Sequence, residues 1–311
     1  MPSHYQGRGG YFVAMSIDLS VQVTVSAGES RFGAALYFEA KADEAASAEQ
    51  LACPLTRAAL LRFAPGVTGV AIRSSSDVPA GSGLGSSGAY LVALIAALEA
   101  MGDRPGSADP AFLAEAAFQV EARDAGRYVG KQDQLTAAWG GLREYRIDGA
   151  GQVRTRRLRI PAAAVADRIV LIRFGPARDA GAMLAQRDGS PDRNRTRGIL
   201  DSLGEIGLRS ARALESGQLD TWSALQHRHW ELKLSLSPNQ VNLAFDRLYR
   251  YCRARFGVAG GKLLGAGGGG FGILCLGAPD ARQPLTAKLR ERGVSVRAFA
   301  PADAGVAVAR A

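Results

Sequence analysis

The stretch Pro79-Ala-Gly-Ser-Gly-Leu-Gly-Ser-Ser-Gly-Ala89 decides how the rest of the chain is read. It lies between the short apolar run Val67–Ile72 and a strongly apolar segment over 86–101, which predicts strand, loop and helix in that order. Glycine lacks a Cβ, so backbone here can take positive φ and come close to a ligand. The first N–H groups of a helix starting near Ser86 have no partner within the helix, and its dipole places partial positive charge behind them. Together these make an anion site, with phosphate as the natural occupant. The alternative is a flexible turn whose serine merely caps the helix. Five small residues in tandem before so apolar a helix favour the anion site.

Three kinds of phosphate loop have to be separated. A Walker A loop needs GxxxxGK[ST], and Gly130-Lys131 is followed by Gln132, with no match elsewhere. The dinucleotide pattern GxGxxG does occur, as Gly83-Leu-Gly85-Ser-Ser-Gly88. That reading requires a second strand ending in Asp or Glu about 20 residues later. The chain continues instead with a helix, the loop Gly102–Pro110 and another helix over about 110–125, so the oxidoreductase reading fails on context. The pattern that remains is Pro-x-x-x-Gly-Leu-Gly-Ser-Ser.

Outward from this loop, residues 11–19, 21–25 and 34–40 read as strands, rich in β-branched and aromatic residues. Residues 44–63 are Ala/Leu-rich with helical spacing and predict one helix. Strands are expected over 141–147, 152–160 and 168–174, the first two joined by a hairpin at Asp148-Gly-Ala-Gly151. Residues 178–256 are helical in pattern, with breaks near Gly189–Pro191, Gly217 and Pro238. Strands Lys262–Ala266 and Phe271–Leu276 flank a glycine run, and a helix near 279–291 and a strand near 293–300 complete the chain. Strands and helices mix without a strict βαβ rhythm, which predicts an α+β class in two layers. The length of 311 residues suits two domains.

Apolar residues make up 47% and charged residues 22%, ordinary for a globular protein and too apolar for a disordered one. The net charge is +9, carried mostly by arginine. The densest cluster, Arg154, Arg156, Arg157 and Arg159, alternates like the solvated face of a strand. No aromatic-basic interleaving supports a nucleic-acid partner, and no run of 18 apolar residues supports a membrane span. Cys53, Cys252 and Cys275 are far apart in apolar surroundings and read as free buried thiols. With no basic start leading into an apolar run at the N-terminus, a cytoplasmic protein is expected. His227 and His229 are two apart on a predicted helix and face different ways, and His4 is remote, so histidine metal binding is not expected.

Three stretches together resemble the GHMP kinases, the family of galactokinases, homoserine kinases and mevalonate kinases. Residues 79–89 resemble its second motif, where backbone wraps the ATP phosphates. Glu121-Ala-Arg-Asp-Ala-Gly126-Arg-Tyr-Val-Gly130-Lys-Gln-Asp133-Gln134 resembles the segment carrying its acidic pair. Gly261-Lys-Leu-Leu-Gly-Ala-Gly-Gly-Gly-Gly-Phe271 resembles its third motif, a second glycine loop. The resemblance implies a two-domain α+β fold: an N-terminal half over 1–165 like domain 2 of ribosomal protein S5, and a ferredoxin-like C-terminal half over 166–311. It implies ATP and Mg2+ as cofactors and a small-molecule sugar or sugar-phosphate acceptor. By resemblance, Pro79, Gly81, Ser82, Gly83, Leu84, Gly85, Ser86, Ser87, Gly267, Gly268 and Gly269 surround the nucleotide. Glu121 and the hydroxyl of Ser87, or of its neighbour Ser86, hold the metal, and Asp133 takes the proton of the acceptor hydroxyl. Taken singly, Glu121 also reads as an exposed helical acid and Asp133 as a helix N-cap.

Gly130–Gly141 and His229-Trp-Glu-Leu-Lys-Leu-Ser-Leu-Ser237 look most like the D-glycero-D-manno-heptose 7-phosphate kinases, which phosphorylate the anomeric hydroxyl. Arg123 and Lys131 are candidates for an anionic acceptor, or else solvated charges. The family's first motif has no counterpart. Residues 2–10 resemble the family segment just past that motif, so the fold is expected to lack the first strand, with its coding sequence upstream of Met1.

Overall fold

A computed structural model describes residues 5–28, 33–38, 41–102, 104, 109–175, 193–236, 243–265 and 269–309. In chain order its elements are β1 (Gly10–Met15), β2 (Val21–Ser26), β3 (Ala34–Phe38), β4 (Lys41–Ala45), α1 (Pro54–Phe63), β5 (Val70–Ser76), α2 (Ser86–Met101) and α3 (Pro110–Gln119). A π-helical turn, Val120–Asp124, extends α3. Next come α4 (Gln132–Trp139), β6 (Leu142–Ile147), β7 (Val153–Arg157), α5 (Ala162–Ala166), β8 (Ile169–Phe174), α6 (Arg193–Glu215) and α7 (Leu219–Leu236). The chain then runs through α8 (Leu243–Arg255), β9 (Val258–Leu263), β10 (Gly270–Leu276), α9 (Arg282–Glu291) and β11 (Ser295–Arg297).

One expectation is overturned. Residues 44–63 are not a single helix: β4 occupies 41–45 and α1 begins only at Pro54. β4 pairs antiparallel with β3, which supplies its ladder partners, and Pro54 at the start of α1 is the residue that opens a helix rather than continues one. The breaks expected near 189–191 and at Pro238 lie outside the described residues.

The chain forms two compact units, each discontinuous in sequence. The first is Met1–Asp18, Gly81–Leu84 and Gly141–Ala302; the second is Leu19–Ala80, Gly85–Gly140 and Asp303–Ala311. The boundary expected between 165 and 166 falls at the end of α5, inside the first unit.

In the first unit β6 is the middle strand of an antiparallel sheet β1-β6-β7. A second antiparallel sheet runs β11-β8-β10-β9. Its inner strands β8 and β10 are buried along most of their length, which is why they read as continuous apolar runs rather than alternating ones. Helix α7 crosses β9 at Gly260, where an added Cβ would stand 1.9 Å from the Ser223 carbonyl oxygen. The core there joins Trp230, Phe245, Tyr249, Leu263 and Leu274, all at most 1% exposed. Burying each such side chain contributes about 1.5–3 kcal/mol, and the Trp230 indole N–H also donates to Asp246 Oδ1 at 2.9 Å.

The second unit is built on a sheet of order β2-β5-β3-β4, in which β3 and β5 run parallel. Helix α2 packs against β2 and against α1, α3 and α4. Its apolar residues face all round, with Leu91, Leu94, Ile95 and Leu98 fully buried. A helix enclosed on every side has little freedom to shift, so its first turn is held in place.

Candidate active site

Two glycine segments meet within the first unit. Gly81 and Gly83 have φ of 71° and 83°, values that favour glycine, and Ser82 between them is buried. The Ser82 carbonyl accepts a 2.8 Å bond from the Phe271 amide. Side chains would prevent this approach. A Cβ at Gly270 would lie 2.1 Å from the Ser82 oxygen, and one at Gly265 would lie 2.9 Å from the Gly83 Cα. The motif around 79–89 and the motif around 261–271, about 180 residues apart, are therefore in direct backbone contact. Of the three glycines expected at the nucleotide in the later motif, Gly269 is buried, and Gly267 and Gly268 lie outside the described residues.

The next residues of the first motif belong to the second unit. Gly85, with φ 77°, precedes α2, and no side chain caps that helix. The first amide bonded back along the helix is that of Ala89, to the Gly85 oxygen at 2.9 Å. The N–H groups of Ser86, Ser87 and Gly88 thus have no partner within the helix. A serine-capped turn would have filled one of them. The Ser86 hydroxyl turns to the Pro79 carbonyl at 3.5 Å, while the Ser87 hydroxyl has no partner among the described residues.

Asp133, in the first turn of α4, is pressed against this helix start. A Cβ at Gly85 would stand 3.1 Å from the Asp133 Cγ, and one at Gly88 2.9 Å from its Cβ. Solvent reaches Asp133, yet protein surrounds it densely. That desolvation, and next the charge of Glu121, raise its carboxyl to about 6.

Glu121 sits in the π turn and is 1% exposed, so it is not the surface helical acid that its sequence setting also allowed. Such turns widen a helix by one residue and re-aim its side chains. The Gln134 amide, also 1% exposed, donates to Glu121 Oε2 at 2.8 Å. Among the described residues Glu121 Oε1 accepts no hydrogen bond, and it forms an ion pair with the Arg127 guanidinium at 3.6 Å. A buried carboxylate oxygen left without a donor normally costs stability unless a cation meets it. Gln134 was not singled out from sequence, where it reads as one more polar residue of an amphipathic helix. Its adjacency to Asp133 was the available signal.

Other candidates are spoken for. Lys131 is buried, donates to Glu115 Oε2 at 2.6 Å and lies 5.0 Å over the Phe118 ring, so it is neither a solvated charge nor a free cation. Arg123 is exposed. The arginines at 154, 156, 157 and 159 are exposed along β7 and after it, with Arg156 paired to Glu144 and Glu215. Among the described residues no three His, Cys, Asp or Glu side chains gather as a metal site, and no helix is long and apolar enough to cross a membrane.

Comparison with known proteins bears directly on this constellation. Residues 51–141, which hold α1 to α4, match the family described as GHMP kinases N terminal domain. The chain carries a GHMP kinase N-terminal domain. D-glycero-alpha-D-manno-heptose 7-phosphate kinase of Campylobacter jejuni is 27% identical over 239 residues, 76% of this chain and 69% of that protein. The bifunctional fucokinase/GDP-fucose pyrophosphorylase of Arabidopsis thaliana is 25% identical over 236 residues, 72% of this chain but 21% of that protein. The crystal structure of a D-glycero-D-manno-heptose 1-phosphate kinase from Bacteroides thetaiotaomicron aligns with a TM-score of 0.71 at 18% identity, covering 96% of this chain and 89% of that one. The fold is the α+β fold of the GHMP kinases.

Proposed function

We propose that this protein is a GHMP-type sugar kinase that transfers the terminal phosphate of ATP to a hydroxyl of a sugar or sugar phosphate. The acceptor we infer is D-glycero-D-manno-heptose 7-phosphate, phosphorylated at the anomeric hydroxyl. The observation that carries the reading is Asp133 pressed against Gly85 and Gly88 at the uncapped start of α2. There, unpaired amides suited to phosphate oxygens adjoin a carboxylate suited to a proton.

In this reading the loop over residues 79–87 binds the triphosphate, with the Ser86, Ser87 and Gly88 amides as donors. Glu121 Oε1, which accepts no hydrogen bond among the described residues and has Arg127 as its ion-pair partner, and the Ser87 hydroxyl are oxygen donors that fit a hard cation such as Mg2+. Glu121 and Ser87 would hold it, and when bound it neutralises charge on the triphosphate. Gln134 fixes the other Glu121 oxygen and so the orientation of the carboxylate. The acceptor oxygen attacks the γ-phosphorus, the bond to the β-phosphate oxygen breaks and ADP leaves. The hydroxyl proton passes to Asp133, which is mostly ionised at neutral pH with its carboxyl at about 6.

ADP release with heptose 7-phosphate, unphosphorylated heptose, fucose and galactose tests this. Turnover fastest with the heptose phosphate supports the assignment. Fastest turnover with fucose moves the protein toward the fucokinase relative. ATP binding with no ADP release from any sugar would make it a nucleotide-binding member without turnover.

A further inference from the structure

We propose that His229, Lys233 and Lys262 form a phosphate-binding subsite in the first unit. It rests on the kinase reading only for which phosphate arrives. Lys262 lies in β9 between Gly261 and Leu263, and strand alternation puts it on the face of Gly260, where α7 passes. On α7, His229 and Lys233 are four apart and share a face. The Lys233 ammonium donates to the carbonyls of Leu263 at 3.0 Å and Gly265 at 2.7 Å, which fixes it beside Lys262 and at the entry to the glycine run.

Among the described residues no Asp or Glu pairs with Lys262, and burial holds its ammonium below the usual lysine range, with the Cys275 thiol opposing that shift. His229 Nδ1 is buried with no hydrogen-bond partner among the described residues. Burial, then Lys262 and Lys233, hold its imidazole well below the usual histidine range, so it stays neutral beside two cations. An anion with several acceptor oxygens would meet both lysines and the imidazole at once, and ammonium groups suit phosphate as point charges. Gly265, to which Lys233 is tied, also abuts Gly83, so the subsite adjoins the junction of the two glycine segments. Nothing about the single residues suggests this: Lys262 reads as a strand residue and His229 as a helix residue.

The full-chain protein is titrated with inorganic phosphate, and separately with a sugar phosphate, while the His229 imidazole resonance is tracked and assigned through His229→Gln. KM values for ATP, a sugar phosphate and the unphosphorylated sugar are then measured for wild type, Lys262→Met and Lys262→Arg, with Tm as the check on folding. Saturable movement of the His229 signal is expected, and Lys262→Met should abolish it. One KM should rise about 10- to 100-fold, the loss expected for a charged hydrogen bond, with partial recovery in Lys262→Arg. A rise confined to the sugar phosphate assigns the acceptor's phosphate; a rise confined to ATP assigns the donor's. If Lys262→Met does not fold, Lys262→Gln takes its place. No saturable shift with either probe, or an unchanged shift without Lys262, overturns the subsite. Absence of turnover in wild type would fail the kinase reading alone, because the phosphate titration still decides this one.

Discussion

The two halves of the glycine-rich motif are held by different means. Residues 81–84 are fixed by backbone: the Phe271–Ser82 hydrogen bond and glycines at 83, 265 and 270 that leave no room for side chains. Residues 85–88 hold amides with no side-chain cap and adjoin the Asp133 carboxyl, which is raised by burial and by Glu121, whose Oε1 accepts no hydrogen bond among the described residues. The first arrangement is complete as it stands. In the proposed reading a polyanion and a cation would complete the second, as in a site arranged around a ligand rather than around itself. Changes in the first region should therefore lower stability and activity together, and changes at Asp133 should separate them.

The hardest test of that contrast is Asp133→Ala, expected to lower kcat by about 10²- to 10⁴-fold, the usual contribution of a positioned base, while ATP affinity measured by calorimetry stays within a few-fold. Equal loss of ATP binding would mean that Asp133 serves the loop rather than the acceptor. Gly270→Ala comes next. Its Cβ would meet the Ser82 oxygen at 2.1 Å on a backbone with φ 89°, so at least about 1–3 kcal/mol of stability should go with the activity. Thermal unfolding with an unchanged Tm would show that the junction gives way freely.

Gln134→Leu removes the donor to Glu121 Oε2 and should cost about 1–3 kcal/mol. If Glu121 faces a cation, the Mg2+ concentration for half-maximal activity should rise as well, a change that a purely structural glutamine would not produce. The smallest effect has the opposite sign. The Asp133 carboxyl is raised from 3.8 to about 6 in the folded protein, so protonation favours folding. That contribution is fully present below the unfolded value and is lost as pH rises through about 6. Asp133→Asn mimics the protonated form and should be the more stable protein above pH 6. The shift sets an upper limit near 3 kcal/mol, and solvent access at this side chain reduces it to on the order of 1 kcal/mol. The two proteins should unfold alike near pH 4, and a stability gap that does not grow between about pH 4 and pH 6 would contradict the raised carboxyl.

Much of this was legible because it is local. Helix α2 spans 86–101 as its apolar density predicts, and Gly81, Gly83 and Gly85 take the positive φ that their spacing invites. Residues 44–53 were not legible, because an Ala- and Glu-rich segment carries helical propensity, and only the ladder with β3 makes 41–45 a strand. Glu121 was expected as a candidate, but its burial, the π turn beneath it and the Gln134 bond depend on α3 and α4 packing together.

Sequence alone named the candidates for chemistry: two glycine runs, a helix start preceded by small residues, and a Glu and an Asp twelve residues apart. These depend on backbone freedom and side-chain type, which need no distant partner. Only the tertiary structure decided that Ser82 and Gly83 touch Gly265, Gly270 and Phe271, that Asp133 lies against Gly85, and that Lys262 shares its surroundings with His229. Each of those depends on which surfaces are withdrawn from water together. Proximity and desolvation, which shift a pKa or leave an oxygen without a donor, are properties of the packed chain rather than of any segment.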